Sequence, residues 1–189
     1  MHSRPVRTAA EIGLSIALAT VLQFIAVWQM PQGGSVSLGM LPLFVLALLR
    51  GPRVGLVAGA LYGLVDLMMK PYIFHPVQVV LDYPLAYGLC GLAGLFSARW
   101  LMLAGRGEMR MAALSAMVPG ILIGALGRYA AHVVSGLVFF AEYAIEAGQA
   151  PLAYSLAYNS FVLVSAAAVA LVAAAVLPAV YPIVTRTRP

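Results

Sequence analysis

The sequence predicts an all-α integral membrane protein, a bundle of six transmembrane helices with both termini in the cytoplasm and residues 1–189 forming one domain. Three observations lead there. Hydrophobic residues make up 63% of the chain and charged residues 9%, and mean hydropathy is +0.97, whereas soluble domains carry about a quarter charged residues. A helix needs about 20 apolar residues to cross the hydrocarbon core, so this length holds about six crossings and leaves no room for a soluble domain. The basic residues stand in short clusters between apolar runs, and their distribution sets the orientation.

The first span is expected from Thr8 to Gln29. Its apolar run exceeds the ~7–15 residues of a secretory signal core, so the basic start at Arg4 and Arg7 reads as a flank of a retained helix. Ala9, Gly13 and Ala17 recur every fourth residue and give the helix a smooth face, for packing inside the bundle or for docking a separate membrane subunit. The polar turn Met30 to Ser35 follows. A short second span, Val36 to Leu49, is interrupted by Pro42 and expected to be bent or half-inserted. Arg50 and Arg53 mark a basic loop, and the third span, Val54 to Met69, repeats glycine at 55, 59 and 63, which predicts close helix packing. After the loop Lys70 to Pro76 come span four (Val77 to Ala98), span five (Met111 to Phe140, long enough to tilt) and span six (Pro151 to Ile183).

Sorted by side, Arg4, Arg7, Arg50, Arg53, Arg99, Arg106, Arg110, Arg186 and Arg188 fall with the two termini. Lys70 lies opposite, and Arg128 lies within span five. The positive-inside rule then makes the terminal side cytoplasmic. This clustering also argues against a nucleic-acid partner and for a lipid bilayer. The only lysine precedes a proline and no phosphate-binding loop is present, so the chain cannot split ATP by that route. Cys90 is the sole cysteine, which removes an internal disulfide and a cysteine-built metal site; neither a metal nor a cofactor is expected.

An ionised side chain at membrane depth marks a functional site by default, and Asp82 stands in the apolar stretch Val80 to Gly88 beside Tyr83. With the orientation fixed, Asp66, Asp82, Arg128, His132, Tyr154 and Asn159 all fall in the outer layer, together with Tyr72, Tyr87, Phe140 and Tyr143. Arg128, His132, Ser135 and Phe139 share one face of span five. Tyr154 and Asn159 are roughly 140° apart on a regular helix, so both reach one ligand only if span six begins irregularly or the ligand is wrapped from two sides. Asp82 meets either Arg128 or a ligand. Rings with an acidic counter-charge suit a small aromatic cation. An intramembrane hydrolase built on Ser135 and His132, with Asp82 orienting the imidazole, is the alternative of another class.

Three segments, Leu81 to Phe96, Gly127 to Phe140 and Ala153 to Asn159, resemble the thiamine-specific substrate-binding (S) component of energy-coupling factor (ECF) transporters. The resemblance covers nearly the whole chain. It implies that Asp82 meets the thiazolium, that Tyr83 helps enclose the ligand, that His132 is the motif histidine, and that Tyr154 and Asn159 hold the aminopyrimidine. Phe140 stands where tryptophan is frequent, Asp82 where glutamate is usual, and Gly33 or its neighbours where some members carry a first-loop tryptophan. Tyr72 belongs to the same aromatic layer. Thiamine is the expected ligand, with a related pyrimidine or thiazole vitamin precursor as the alternative. The implied partners are a transmembrane coupling subunit and two ATPase subunits, docked on the face carrying Ala9, Gly13 and Ala17. The ligand would be taken up from outside and released inside.

Overall fold

The computed structural model describes residues 4–31 and 33–186. Gln32 of the first polar turn and Arg188 of the basic tail lie outside the described residues. Helix α1 (Arg4–Phe24) ends five residues before the expected boundary at Gln29. Trp28–Gln29 (β1) instead pairs antiparallel with Ser35–Val36 (β2), Trp28 opposite Val36. The reversal is held by the Met30 N–H donating to the Gly34 carbonyl at 2.7 Å, and by Gly33 at φ +90°, a conformation open to glycine because it has no Cβ.

Helix α2 (Leu41–Arg50) corrects the second span. Pro42 lies in its first turn, where the missing N–H has no helical partner to lose, so the proline starts the helix instead of bending it. The ten residues cover about 15 Å, and all but Val45 and Arg50 are buried. A helix apolar all round belongs at the centre of a bundle. Phe44 and Leu48 of α2 pack with Cys90 and Ala93, with Met117 and Ile121, and with Val169 and Leu177.

The longer elements are α3 (Pro52–Met69), α4 (Pro76–Gly105) and α5 (Met109–Phe139), followed by the short α6 (Ala141–Glu146). Next come α7 (Pro151–Asn159) and α8 (Phe161–Arg186), separated by Ser160 alone. Among the described residues, five stretches are long and apolar enough to cross a membrane: Pro5–Phe24, Pro52–Met69, Pro76–Gly105, Met109–Phe139 and Pro151–Ile183. The remaining expected span, the second, corresponds to the shorter α2. Two ties hold α1 along the chain that leads into and through α2. At one end Glu11 accepts from Arg50 and from Arg7, the latter at 3.1 Å. At the other, Gln23 donates to Ser35 at 2.8 Å and accepts from Ser37.

The glycines of α3 pack as the spacing predicts. A Cβ on Gly59 would collide with the Tyr87 carbonyl, one on Gly63 with that of Tyr83, and one on Gly55 would lie 2.6 Å from the Ala47 Cβ. Gly91 and Gly94 of α4 meet the backbone of α3 and its leading turn just as closely. Within α4 the helix is not uniform. Leu81–Leu85 forms a π-helical turn containing Pro84, and Cys90–Phe96 narrows to a 3₁₀ helix. Proline cannot donate the usual hydrogen bond. The turn widens, and the Ala86 N–H reaches back five residues to the Leu81 carbonyl.

Gly59→Ala is expected to lower the thermal unfolding midpoint of the detergent-purified protein, since overpacking costs about 1–3 kcal/mol. Gly13→Ala meets nothing within 4 Å and should leave the midpoint unchanged.

Candidate ligand-binding site

A cavity of about 430 Å³ lies at the end of the bundle where the β1–β2 turn, the loop between α3 and α4, and the start of α7 converge. Its volume falls in the ~300–1,000 Å³ range of small-molecule sites. Asp82, Tyr83, His132, Phe140, Tyr154, Asn159 and Tyr72 all line it.

The π turn of α4 carries Asp82, and three donors hold its carboxylate. Gln78, one turn earlier, donates to Oδ2 at 2.7 Å; Ser135 of α5 donates to the same oxygen at 2.8 Å; His132 Nδ1 lies 2.9 Å from Oδ1. Arg128 Nε donates to His132 Nε2 at 3.3 Å. Because a guanidinium can only donate, Nε2 accepts and the imidazole proton sits on Nδ1, directed at Asp82.

This wiring excludes the hydrolase arrangement. There the imidazole would join serine to acid, taking the hydroxyl proton through one nitrogen. Here Ser135 and His132 each bond Asp82 directly, and the remaining ring nitrogen faces Arg128.

Arg128 does not pair with Asp82. Its guanidinium carbon sits 4.0 Å above the Tyr87 ring, and among the described residues it has no carboxylate within ion-pair distance. The Tyr87 hydroxyl donates to Asp66 at 3.0 Å, and Asp66 also lines the cavity. The site therefore holds two carboxylates, and two cations in Arg128 and Lys70.

Rings close the sides. Tyr72 and Phe140 lie 5.8 Å apart, Phe140 and Tyr143 stack at 6.2 Å, and the Tyr72 and Tyr143 hydroxyls meet at 3.0 Å. That hydrogen bond, more than burial, pushes the Tyr72 phenol up to about 12, so it keeps its proton at neutral pH. On the other side Tyr154 stacks on Tyr158 at 6.2 Å, and Phe161 stands 6.0 Å from His132. Phe139, expected on the same face as His132, turns instead to the outside of the site and stacks on His75 at 5.0 Å. The Tyr83 hydroxyl accepts from the Tyr72 N–H at 2.8 Å and donates to the Lys70 carbonyl at 3.0 Å, so it braces a loop while its ring lines the cavity.

Asn159 resolves the angular problem posed by Tyr154. Its Nδ2 donates to the Ser155 carbonyl at 2.9 Å and to the His132 carbonyl at 3.3 Å; Asn159 lines the cavity, and its Oδ1 accepts from no donor among the described residues. Tyr154 reaches the same space because the cavity spans several faces of α7, touching Tyr154, Ser155, Tyr158 and Asn159. Gly136 of α5 lets α7 approach, as a Cβ there would collide with the Ser155 hydroxyl. Gln78, Tyr158 and Phe161 went unnoticed in the sequence. A glutamine one helical turn before Asp82, inside an apolar run, is the signal the sequence carries for Gln78. In the first loop Gly33 and Gly34 line the cavity, and a Cβ on Gly34 would sit 2.7 Å from the Phe161 ring.

Residues 9–185 match the family described as Thiamine transporter protein (Thia_YuaJ). The chain belongs to this thiamine transporter family. Within it, the chain is 38% identical over 153 residues to the thiamine transporter ThiT of Bacillus subtilis (strain 168), covering 79% of each. It is 32% identical over 153 residues to ThiT of Lacticaseibacillus paracasei (strain ATCC 334), covering 79% of this chain and 75% of the relative. A solved structure of ThiT from Listeria monocytogenes superposes with a TM-score of 0.81 at 29% identity, over 93% of this chain and 97% of that one. Members of the thiamine transporter family are transporters and not enzymes, which agrees with the unaligned serine and histidine. Like them, this chain is a multi-pass plasma-membrane protein.

Ser135→Ala removes one of the three donors to Asp82. Hydrogen bonds to charged groups contribute about 1.5–3 kcal/mol, so the variant should unfold at a lower temperature in detergent. Neither it nor the parent should hydrolyse ester or peptide substrates.

Proposed function

We propose that the protein is the thiamine-binding S component of an ECF-type uptake transporter. The observation that carries this reading is the cavity itself, which combines the open Asn159 acceptor, aromatic walls and two carboxylates within the outline of a thiamine transporter family member. A thiazolium is an aromatic cation, which carboxylates and ring faces favour together. Asp82 supplies the charge near the thiazolium. Tyr83, His132, Phe140 and Tyr72 enclose it, and Tyr154 and Asn159 take the aminopyrimidine, whose exocyclic amine suits the Asn159 oxygen.

The chain crosses the membrane six times in this reading, with both termini in the cytoplasm. Support comes from the two ends of α1. Arg50 at the close of α2 meets Glu11 near the start of α1, while the turn between the two helices lines the cavity at the opposite end. The segment from Ser35 to Arg50 therefore returns the chain across the bundle although its helix is short. Lys70 and Arg128, the two basic residues outside the cytoplasmic set, are also the two at the cavity. The cavity then faces outward and accepts ligand from the external side.

Release inside requires a partner with an energy source: a transmembrane coupling subunit with two ATPases. The docking face is the outer surface of α1, where Ala9, Gly13 and Ala17 are exposed and uncovered by the bundle. Small residues permit close approach of another helix.

Titration of the purified protein with thiamine, followed by tryptophan and tyrosine fluorescence, should show saturable binding. Asp82→Asn should weaken it at least tenfold, a loss of about 1.4 kcal/mol; binding as tight as the parent's would remove the counter-charge role. Tighter binding of a lone pyrimidine or thiazole compound would reassign the substrate. Gly13→Leu should spare binding and impair uptake in cells, and equal loss of both would make α1 a folding element instead.

A further inference from the structure

Gln78 is a fully buried polar side chain that joins the Asp82 carboxylate to the loop before α4. The residue is 1% exposed and sits in the first turn of α4. Each end of its amide is used. Nε2 donates to Asp82 Oδ2 at 2.7 Å and to the Tyr72 carbonyl at 3.1 Å. Oε1 accepts from the Phe74 N–H at 3.0 Å and from the His75 N–H at 3.5 Å. A glutamine amide has two donor hydrogens and two acceptor lone pairs, so these four contacts exhaust it.

The loop it grips is part of the site's wall. Tyr72 stands against Phe140 and bonds Tyr143, Phe74 lies 5.6 Å from Phe140, and His75 stacks on Phe139. The Tyr72 N–H is bound separately by Tyr83, the residue next to Asp82 on the same π turn. The Asp82 turn and the loop that carries the cavity-lining Tyr72 are thus joined through the buried Gln78, with Tyr83 as a second tie.

We propose that Gln78 is a positioning residue that couples Asp82 to closure of the 72–75 loop over the bound ligand. By donating to Oδ2 it fixes the carboxylate's rotation, so that Oδ1, whose one partner among the described residues is His132, keeps a lone pair for the site. By accepting from two loop amides it holds the aromatic wall against the cavity mouth. A ligand that engages Asp82 thereby stabilises the closed loop, and loosening the loop frees the carboxylate. This proposal rests on the thiamine-binding reading of the cavity for its ligand, but the Gln78 contacts exist without one.

The test uses full-length protein in detergent or nanodiscs with thiamine as probe. Gln78→Met keeps length and volume without polar atoms. It should weaken thiamine binding at least tenfold, chiefly through faster release in stopped-flow fluorescence, and, like Ser135→Ala, lower the ligand-free unfolding midpoint, so binding is measured at a temperature where the variant is still folded. In the Gln78→Met background Asp82→Asn should cost at least threefold less affinity than in the parent, the non-additivity expected of residues acting through one contact. Hydrogen exchange of the Phe74 and His75 amides in the ligand-free protein should accelerate in Gln78→Met. Gln78→Glu, which retains an acceptor for those amides but sets a second carboxylate against Asp82, should preserve their protection and still lose affinity. Binding within twofold of the parent in Gln78→Met, or fully multiplicative effects with Asp82→Asn, overturns the coupling. If the parent itself binds no thiamine, the functional reading fails, and the exchange experiment alone judges Gln78: unchanged amide protection in Gln78→Met overturns its grip on the loop.

Discussion

The carboxylate of Asp82 sits in a segment with apolar neighbours on both sides, and the cavity end of the bundle is arranged to keep it hydrogen-bonded. A polar group removed from water without partners loses several kcal/mol, and an ionised one at membrane depth still more. The chain answers with an amide from the same helix and a hydroxyl and an imidazole from α5. Those donors can converge only if α4 and α5 hold a definite rotation against each other. The π turn at Leu81–Leu85, forced open at Pro84, sets that rotation on the α4 side. Local irregularity of this kind is common at functional sites because it re-aims a side chain without ending the helix.

Close packing supplies the rigidity behind this geometry. With glycine at 55, 59 and 63, α3 lies directly on the backbone of α4, at the level of Tyr83, Tyr87 and Gly91. The contact includes the π turn itself, since Gly63 faces the Tyr83 carbonyl. Stability and site construction therefore draw on the same interface. Across the cavity, Gly136 does the same for α5 and α7, bringing Ser155 to the Val133 carbonyl and Asn159 to the His132 carbonyl. Arg128 is then free to occupy the floor as a cation over the Tyr87 ring, separate from Asp82.

Much of the fold was legible along the chain because hydrophobic length is a local property. Long apolar runs marked five of the elements, with boundaries within a few residues except where span one stops at Phe24 instead of Gln29 and span four, expected to end at Ala98, runs on through Arg99 to Gly105. The misses came where short-range chemistry overrode that signal. Apolar residues after Phe24 extended the first span on paper, whereas the Met30 to Gly34 turn paired them into a hairpin. Pro42 looked like a breaker and proved to be a starter, because its position within the helix decides its effect. The π turn, with an ordinary apolar sequence around Pro84, left no periodicity to read.

By itself the sequence determined that the protein lies in a membrane, which residues gather at one end of the bundle, and which family it resembles. All of these follow from additive features: apolar length, the side on which arginines accumulate, and motifs of fixed spacing. Only the tertiary structure decided who meets whom. Asp82 chose Gln78, Ser135 and His132 over Arg128, Phe139 faced outward while Phe140 faced in, and Phe161 entered the wall. Helical spacing assigns a residue to a face, but a hydrogen bond needs angular placement within a few tenths of an ångström. That placement is set by the rotation and close approach of neighbouring helices, which no single segment contains.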